Sequence, residues 1–233
     1  MPLASSACTH PGAIRPRNED RVVARPEIGL WAVADGAGGH GAGDVASSAL
    51  EEALAGIPPG LTAAELLAQV RLRVQAVHGA LQARAAEQGA GRLIASTLVV
   101  LLVRATHFAA LWAGDSRAYL LRGGALHRVT HDHSLVQEMV DAGTLAPEDA
   151  EAHPHANIIT RAVGQEGELV LDKVAERLHP GDLFLLCSDG VFKELSEPAI
   201  AELLREGAGA EALVEAAVRA GGRDNVSAVV VRA

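Results

Sequence analysis

Apolar and polar positions fall into blocks along the chain. Residues 20–25 and 29–35 read as two strands, the second being the apolar run Gly29-Leu30-Trp31-Ala32-Val33-Ala34 closed by Asp35. A glycine-rich stretch from Gly36 to Gly43 breaks the pattern, and residues 44–55 read as an alanine-rich helix with Val45, Leu50 and Leu54 apolar. Pro58-Pro59-Gly60 is a hard stop. Thr62 has the character of an N-cap with Glu65 at the capping-box position, opening a helix to about Gln88. Its apolar stripe is Leu66, Val70, Val74, Val77 and Leu81.

Two strongly apolar runs follow, Leu93–Val103 and Phe108–Ala113. Arg117–Arg122, the turn Gly123-Gly124 and Leu126–Val129 continue a meander. Residues 134–165 are polar and irregular. Asp182–Ser188 reads as a strand, 198–206 and 210–220 as helices, and Asn225–Val231 as a buried closing strand. Blocks of strands between blocks of helices lack the βαβα alternation of a parallel sheet. They imply an α+β fold of antiparallel sheets covered by helices.

Composition narrows the function. The 233 residues suffice for one large domain or two small ones with a proper core. The formal charge of −9 speaks against nucleic acid, whose binding runs on phosphate neutralisation, and against an anionic membrane surface. The N-terminus lacks the basic and apolar regions of a secretory signal, and no run approaches the ~20 apolar residues that span a bilayer. Cys8 and Cys187 do not make a disulfide framework, so the cytoplasm is the expected location.

The chemistry lies in where aspartate occurs. Asp35 and Asp189 each end an apolar run and precede a glycine. Asp115 follows Ala110–Gly114, Asp224 stands just before the last strand, and Asp20 opens the first. One Asp-Gly pair is an ordinary turn. Five aspartates at the tips of five apolar runs are different, because a half-buried carboxylate costs free energy unless it is paired or binds an ion. Oxygen ligands with few histidines point to Mg²⁺ or Mn²⁺ rather than Zn²⁺. His131, His133, His153 and His155 lack tight ligand spacing and read as solvated or structural.

These positions carry a resemblance. Gly12-Ala13-Ile14-Arg15-Pro16-Arg17-Asn18-Glu19-Asp20 matches G-x-x-R-x-x-N-E-D, and Asp35-Gly36-Ala37-Gly38-Gly39-His40 matches D-G-x-G-G-H. Gly114-Asp115-Ser116-Arg117, Asp132-His133-Ser134, Thr160-Arg161-Ala162-Val163-Gly164, Ser188-Asp189-Gly190 and Asp224-Asn225 follow in order. The chain resembles the bacterial branch of the metal-dependent serine/threonine protein phosphatases, type 2C (PPM).

The resemblance implies a four-layer α-β-β-α sandwich in one catalytic domain, 1–233, with a variable flap at about 134–160. It implies that Asp35 bridges two ions, that Asp189 and Asp224 hold one, and that the Gly36 carbonyl helps hold the other. Asp20 would support the pair through metal-bound water, and Asp115 with Asp189 would share a loose third ion. Arg15 would grip the substrate phosphate. Two Mn²⁺ or Mg²⁺ ions about 3.5–4 Å apart would generate a bridging hydroxide that attacks phosphorus. Ala37 stands where some relatives carry a histidine acid, so His40 and a metal-bound water are the candidates for that role. Phosphoprotein substrates, an opposing serine/threonine kinase and a monomeric state are expected. The alternatives are a silent phosphatase-like binding domain, which the complete set of aspartates disfavours, and a hydrolase of small phosphoesters.

Overall fold

The computed structural model describes residues 3–38, 41–89 and 91–233. Two antiparallel sheets lie face to face. The first runs β1 (Ala4–His10), β11 (Val226–Arg232), β10 (Leu183–Cys187), β7 (Arg117–Arg122), β8 (Ala125–Arg128). The second runs β2 (Asp20–Arg25), β3 (Leu30–Ala37), β5 (Leu98–Arg104), β6 (His107–Ala113), β9 (Asp172–Arg177), and the short β4 (Ala95–Ser96) also pairs with β3. The helices α1 (Ala42–Ala55) and α2 (Ala63–Glu87) cover the second sheet, while α4 (Asp189–Phe192), α5 (Glu197–Arg205) and α6 (Ala210–Ala220) lie on the first. The helix α3 (Leu135–Asp141) follows β8. This is the α-β-β-α sandwich expected from the sequence.

The strands are apolar throughout because both their faces are covered. In β3, Trp31 and Val33 point into the core between the sheets, whereas Leu30, Ala32 and Ala34 pack toward α1 and α2. In β10, Phe184 and Leu186 face the other sheet and Leu183, Leu185 and Cys187 face the helices. Period-2 geometry therefore sends one strand into two cores.

The capping box at Thr62 and Glu65 forms as expected, with both reciprocal bonds made. The stripe of α2 differs at one position: Val77 is partly buried, and His78 takes a fully enclosed place. The Gly164 N–H donates to His78 Nδ1 at 3.0 Å, so Nε2 carries the proton donated to the Gly167 carbonyl, also at 3.0 Å. The run 93–103 is two strands, broken at Thr97. Among the described residues the sequence pattern does not announce the edge strands β1 and β9, α3 inside the polar stretch, or the short α4. Neither cysteine is in a disulfide. No helix among the described residues is long and apolar enough to cross a membrane.

Candidate metal centre and phosphate cleft

The aspartates at the strand tips converge on one end of the sandwich. Asp20 and Asp35 are paired directly across β2 and β3. Asp189 is the first residue of α4, immediately after Ser188 at the end of β10, and Asp224 immediately precedes Asn225 and β11. Asp115 lies between β6 and β7. A cleft of about 730 Å³ is lined by Arg15, Asp35, Gly36, Asp115, Asp189 and Asp224 among others.

Backbone packing sets the height of Asp35. Its carbonyl accepts from Ser96 Oγ at 2.9 Å and from the Thr97 N–H at 2.9 Å, so the break between β4 and β5 clamps it. A Cβ on Gly36 would stand 2.3 Å from the Gly43 carbonyl and 2.6 Å from that of Glu19. Only glycine permits this approach, which brings the Gly36 peptide to the cleft floor. Gly114, at φ +109°, passes so close to Thr97 that a Cβ would lie 2.6 Å from the threonine Cβ, and this turn delivers Asp115.

Asp20 is wholly enclosed. One oxygen accepts from Ser188 Oγ at 2.8 Å, and that hydroxyl in turn accepts from the Ser227 N–H at 3.0 Å. The other oxygen, Oδ1, has no hydrogen-bond partner. Burial, opposed by serine hydrogen bonds and aided by Asp189 and Asp224, pushes the Asp20 pKa up to about 7. Burial does the same to Asp35, with repulsion from Asp20, Asp189, Asp115 and Asp224, and raises it well above the usual carboxylate range. Asp115 is raised to about 7 by burial and by Asp189. These carboxylates repel one another in a desolvated place, a state that bound cations relieve.

The donor set suits hard divalent ions. Among the described residues no three His, Cys, Asp or Glu side chains close on one another as a single-ion shell. The oxygens instead border an open cleft, as suits Mg²⁺-like ions that keep several waters. An unpartnered buried oxygen on Asp20 and a glycine peptide at the floor both fit such ions.

Arg15 stands at the rim, half exposed, and Nη2 donates to Asp224 Oδ2 at 2.8 Å. Its loop is pinned to the start of β11. The Asn225 amide donates to the Pro11 and Arg17 carbonyls at 2.9 and 2.8 Å, and its oxygen accepts from the Glu19 N–H at 2.8 Å. Asn225, Ser188 and Thr97 were not assigned these roles from the sequence, although the first two lie inside motifs that were read. His40 lies outside the described residues.

Arg117, Asp132 and His133, from two further motifs, make contacts within the protein. Arg117 Nε and Nη2 grip the Asp132 carboxylate, with 2.7 Å from Nη2 to Oδ2, and the guanidinium lies 3.6 Å from the Phe192 ring centroid. His133 Nδ1 accepts from the Gly114 N–H at 3.1 Å, leaving Nε2 to donate to Asp172 at 3.2 Å. Burial holds its pKa below the usual value. His131 is exposed and meets Asp141. His131 and His133 thus have partners within the protein, and His153 and His155 meet each other.

A family model described as Protein phosphatase 2C matches residues 17–220. The chain belongs to the protein phosphatase 2C family. It is 39% identical over 232 residues to the serine/threonine protein phosphatase PstP of Mycobacterium tuberculosis, covering 98% of this chain and 44% of that relative. The chain therefore spans less than half the length of this mycobacterial family member. Among solved structures, PppA, described as a key regulatory component of T6SS in Pseudomonas aeruginosa, has a TM-score of 0.92 at 38% identity, covering 100% of this chain and 98% of that one. The catalytic domain of PstP in complex with two manganese ions has a TM-score of 0.87 at 36% identity, covering 99% and 98%. Within the family frame, one neighbour of the cluster stands out. Lys193 Nζ donates to Asp189 Oδ2 at 2.5 Å and to Asn157 Oδ1 at 2.7 Å. An ammonium thus already borders the place expected for a loose third ion.

Proposed function

We propose that the chain hydrolyses phosphoserine and phosphothreonine in proteins, using a pair of Mn²⁺ or Mg²⁺ ions, and opposes a serine/threonine kinase in the cytoplasm as a monomer. The observation that carries this reading is the convergence of Asp35, Asp115, Asp189 and Asp224 beside Arg15 in one open cleft, with Asp20 buried next to Asp35 across β2 and β3. The manganese-bound relative supports the choice of ion.

In this reading Asp35 would be shared by the two ions, Asp189 and Asp224 would hold one, and the Gly36 carbonyl would help hold the other. Such ions lower the pKa of a shared water and draw charge from phosphoryl oxygens. The protein's own groups orient the reactants. Ser188 holds Asp20, so that its free oxygen faces ions or their waters rather than rotating away. Arg15 exchanges one bond to Asp224 for a fork on two phosphate oxygens, where its planar donors match the geometry. A single catalytic domain, 1–233, contains these parts, with residues 134–160 as a flap beside the cleft. His40 and water remain the candidates for protonating the leaving alkoxide. Two tight ions are proposed, and the flank of Asp115 and Asp189 is where the resemblance would put a looser third.

The test is hydrolysis of a phosphothreonine peptide before and after chelation. Activity should vanish with EDTA and return with Mn²⁺ or Mg²⁺. Full turnover in a thoroughly chelated sample would disprove the mechanism.

A further inference from the structure

Lys193 sits at the C-terminal end of α4, one helical turn beyond Asp189. This i, i+4 spacing lets the side chain fold back along the helix to the carboxylate. The lysine is largely enclosed, with 29% of its side chain exposed against 14% for Asp189. Its Nζ is held between the Asp189 carboxylate and the Asn157 amide oxygen. Lys193 and Asp115 also line one small cavity of about 50 Å³ beside the main cleft, together with Arg117 and Asp132.

An ammonium here changes what the flank of the cluster can hold. A loose third cation would need oxygens from Asp115 and Asp189 with water completing its shell. One Asp189 oxygen is already committed to Lys193 at 2.5 Å, and the fixed positive charge repels a divalent ion from the same flank. The lysine is braced on its other side by Asn157, which comes from the 134–160 segment and also lines the main cleft. The residues do not fit a third ion.

We propose that Lys193 is a tethered cation that stands in for a third metal ion, neutralising the Asp115–Asp189 flank and linking Asn157 to the metal centre. The inference rests on the two-ion reading of the cleft. Lys193 is a positioning residue: it fixes the second oxygen of Asp189 while leaving the two main ions in place. A lysine has three donors, and two are used by Asp189 and Asn157, so one remains for water or a phosphoryl oxygen. The charge is part of the chain, so turnover on this flank has no need of high free metal.

Mn²⁺ titration calorimetry on the intact chain, on Lys193→Met and on Lys193→Met/Asp115→Asn reads this directly, with circular dichroism checking that each is folded. The wild type should bind two ions and show no further site up to millimolar Mn²⁺. Lys193→Met should keep both and gain one weak site, and the double variant should lose that added site. Turnover of Lys193→Met should rise at least about fivefold between micromolar and millimolar Mn²⁺, while the wild type saturates at low metal. Lys193→Arg, which restores charge, should again exclude the third ion. A third ion in the wild type, or no added site in folded Lys193→Met, overturns the proposal for Lys193. A wild type that binds no ions at all would instead defeat the two-ion reading of the cleft.

Discussion

Asp132 and Asp20 are both buried aspartates near one end of the sandwich, and they are treated in opposite ways. Asp132 receives bonds from two nitrogens of Arg117, with Arg128 3.6 Å away, and Arg117 itself is backed by the Phe192 ring. Its charge is balanced within the protein. Asp20 receives one serine hydroxyl, keeps one oxygen without a partner and faces other carboxylates instead of an arginine. A buried charge with a built-in counter-ion braces a fold; one without such a partner marks a place prepared for an ion from outside.

The contrast predicts that the two kinds of aspartate fail differently. The largest effect should come from Asp35→Asn, which removes the anionic oxygen proposed to be shared by the two ions. Turnover should fall by at least a thousandfold, about 4 kcal/mol in the barrier. The metal-free variant should melt no lower than the wild type, because a repelling charge has gone. Retention of more than about a tenth of wild-type kcat would show that the bridging role lies elsewhere.

Asp132→Asn should show the reverse pattern. It strands the Arg117 guanidinium and should cost about 3 kcal/mol of stability, read by urea unfolding. Both tight ions should still bind in whatever fraction is folded. An unchanged midpoint would mean that the Arg117–Asp132 pair is not a brace.

Arg15→Ala should come next. It should lower kcat/KM by about tenfold to a hundredfold with metal affinity nearly intact, and Arg15→Lys should rescue poorly because a point charge lacks the fork. Normal kinetics in the alanine variant would move phosphate binding to another residue.

The smallest effect concerns pH. Asp20 and Asp115 have folded pKa values raised to about 7, so between about pH 4 and pH 7 the metal-free native state binds more protons than the unfolded chain. Stability of the metal-free protein should therefore fall as pH rises through that window, by roughly a few degrees in Tm. Saturating Mn²⁺ should reverse the slope, since ions replace those protons. A metal-free melting temperature that climbs steadily from pH 4 to pH 7 would contradict this balance of charges.

How far the chain could be read from residues alone depends on burial. The strands β3, β5, β6, β10 and β11 were legible because both their faces meet apolar layers. The edge strands β1 and β9 were not. Their residues are mostly exposed or half-buried, so polar side chains such as those of Asp172-Lys173 and Ser5-Ser6 hide the strand pattern. They are strands because β11 and β6 offer unpaired backbone edges, and that pairing is a long-range event.

The candidate site divides in the same way. Aspartates at the tips of apolar runs, with glycines after Asp35 and Asp189, are local features. The sequence by itself determined them, along with family and layered fold. Tertiary structure alone decided which of those tips meet, that an Asp20 oxygen is left without a partner, and that Asn225 ties the Arg15 loop to β11. It alone brought Asn157 against Lys193, whose reach to Asp189 is a local turn of α4. The reason is physical: a charge's role depends on what surrounds it within a few ångströms, and those neighbours come from elements distant along the chain.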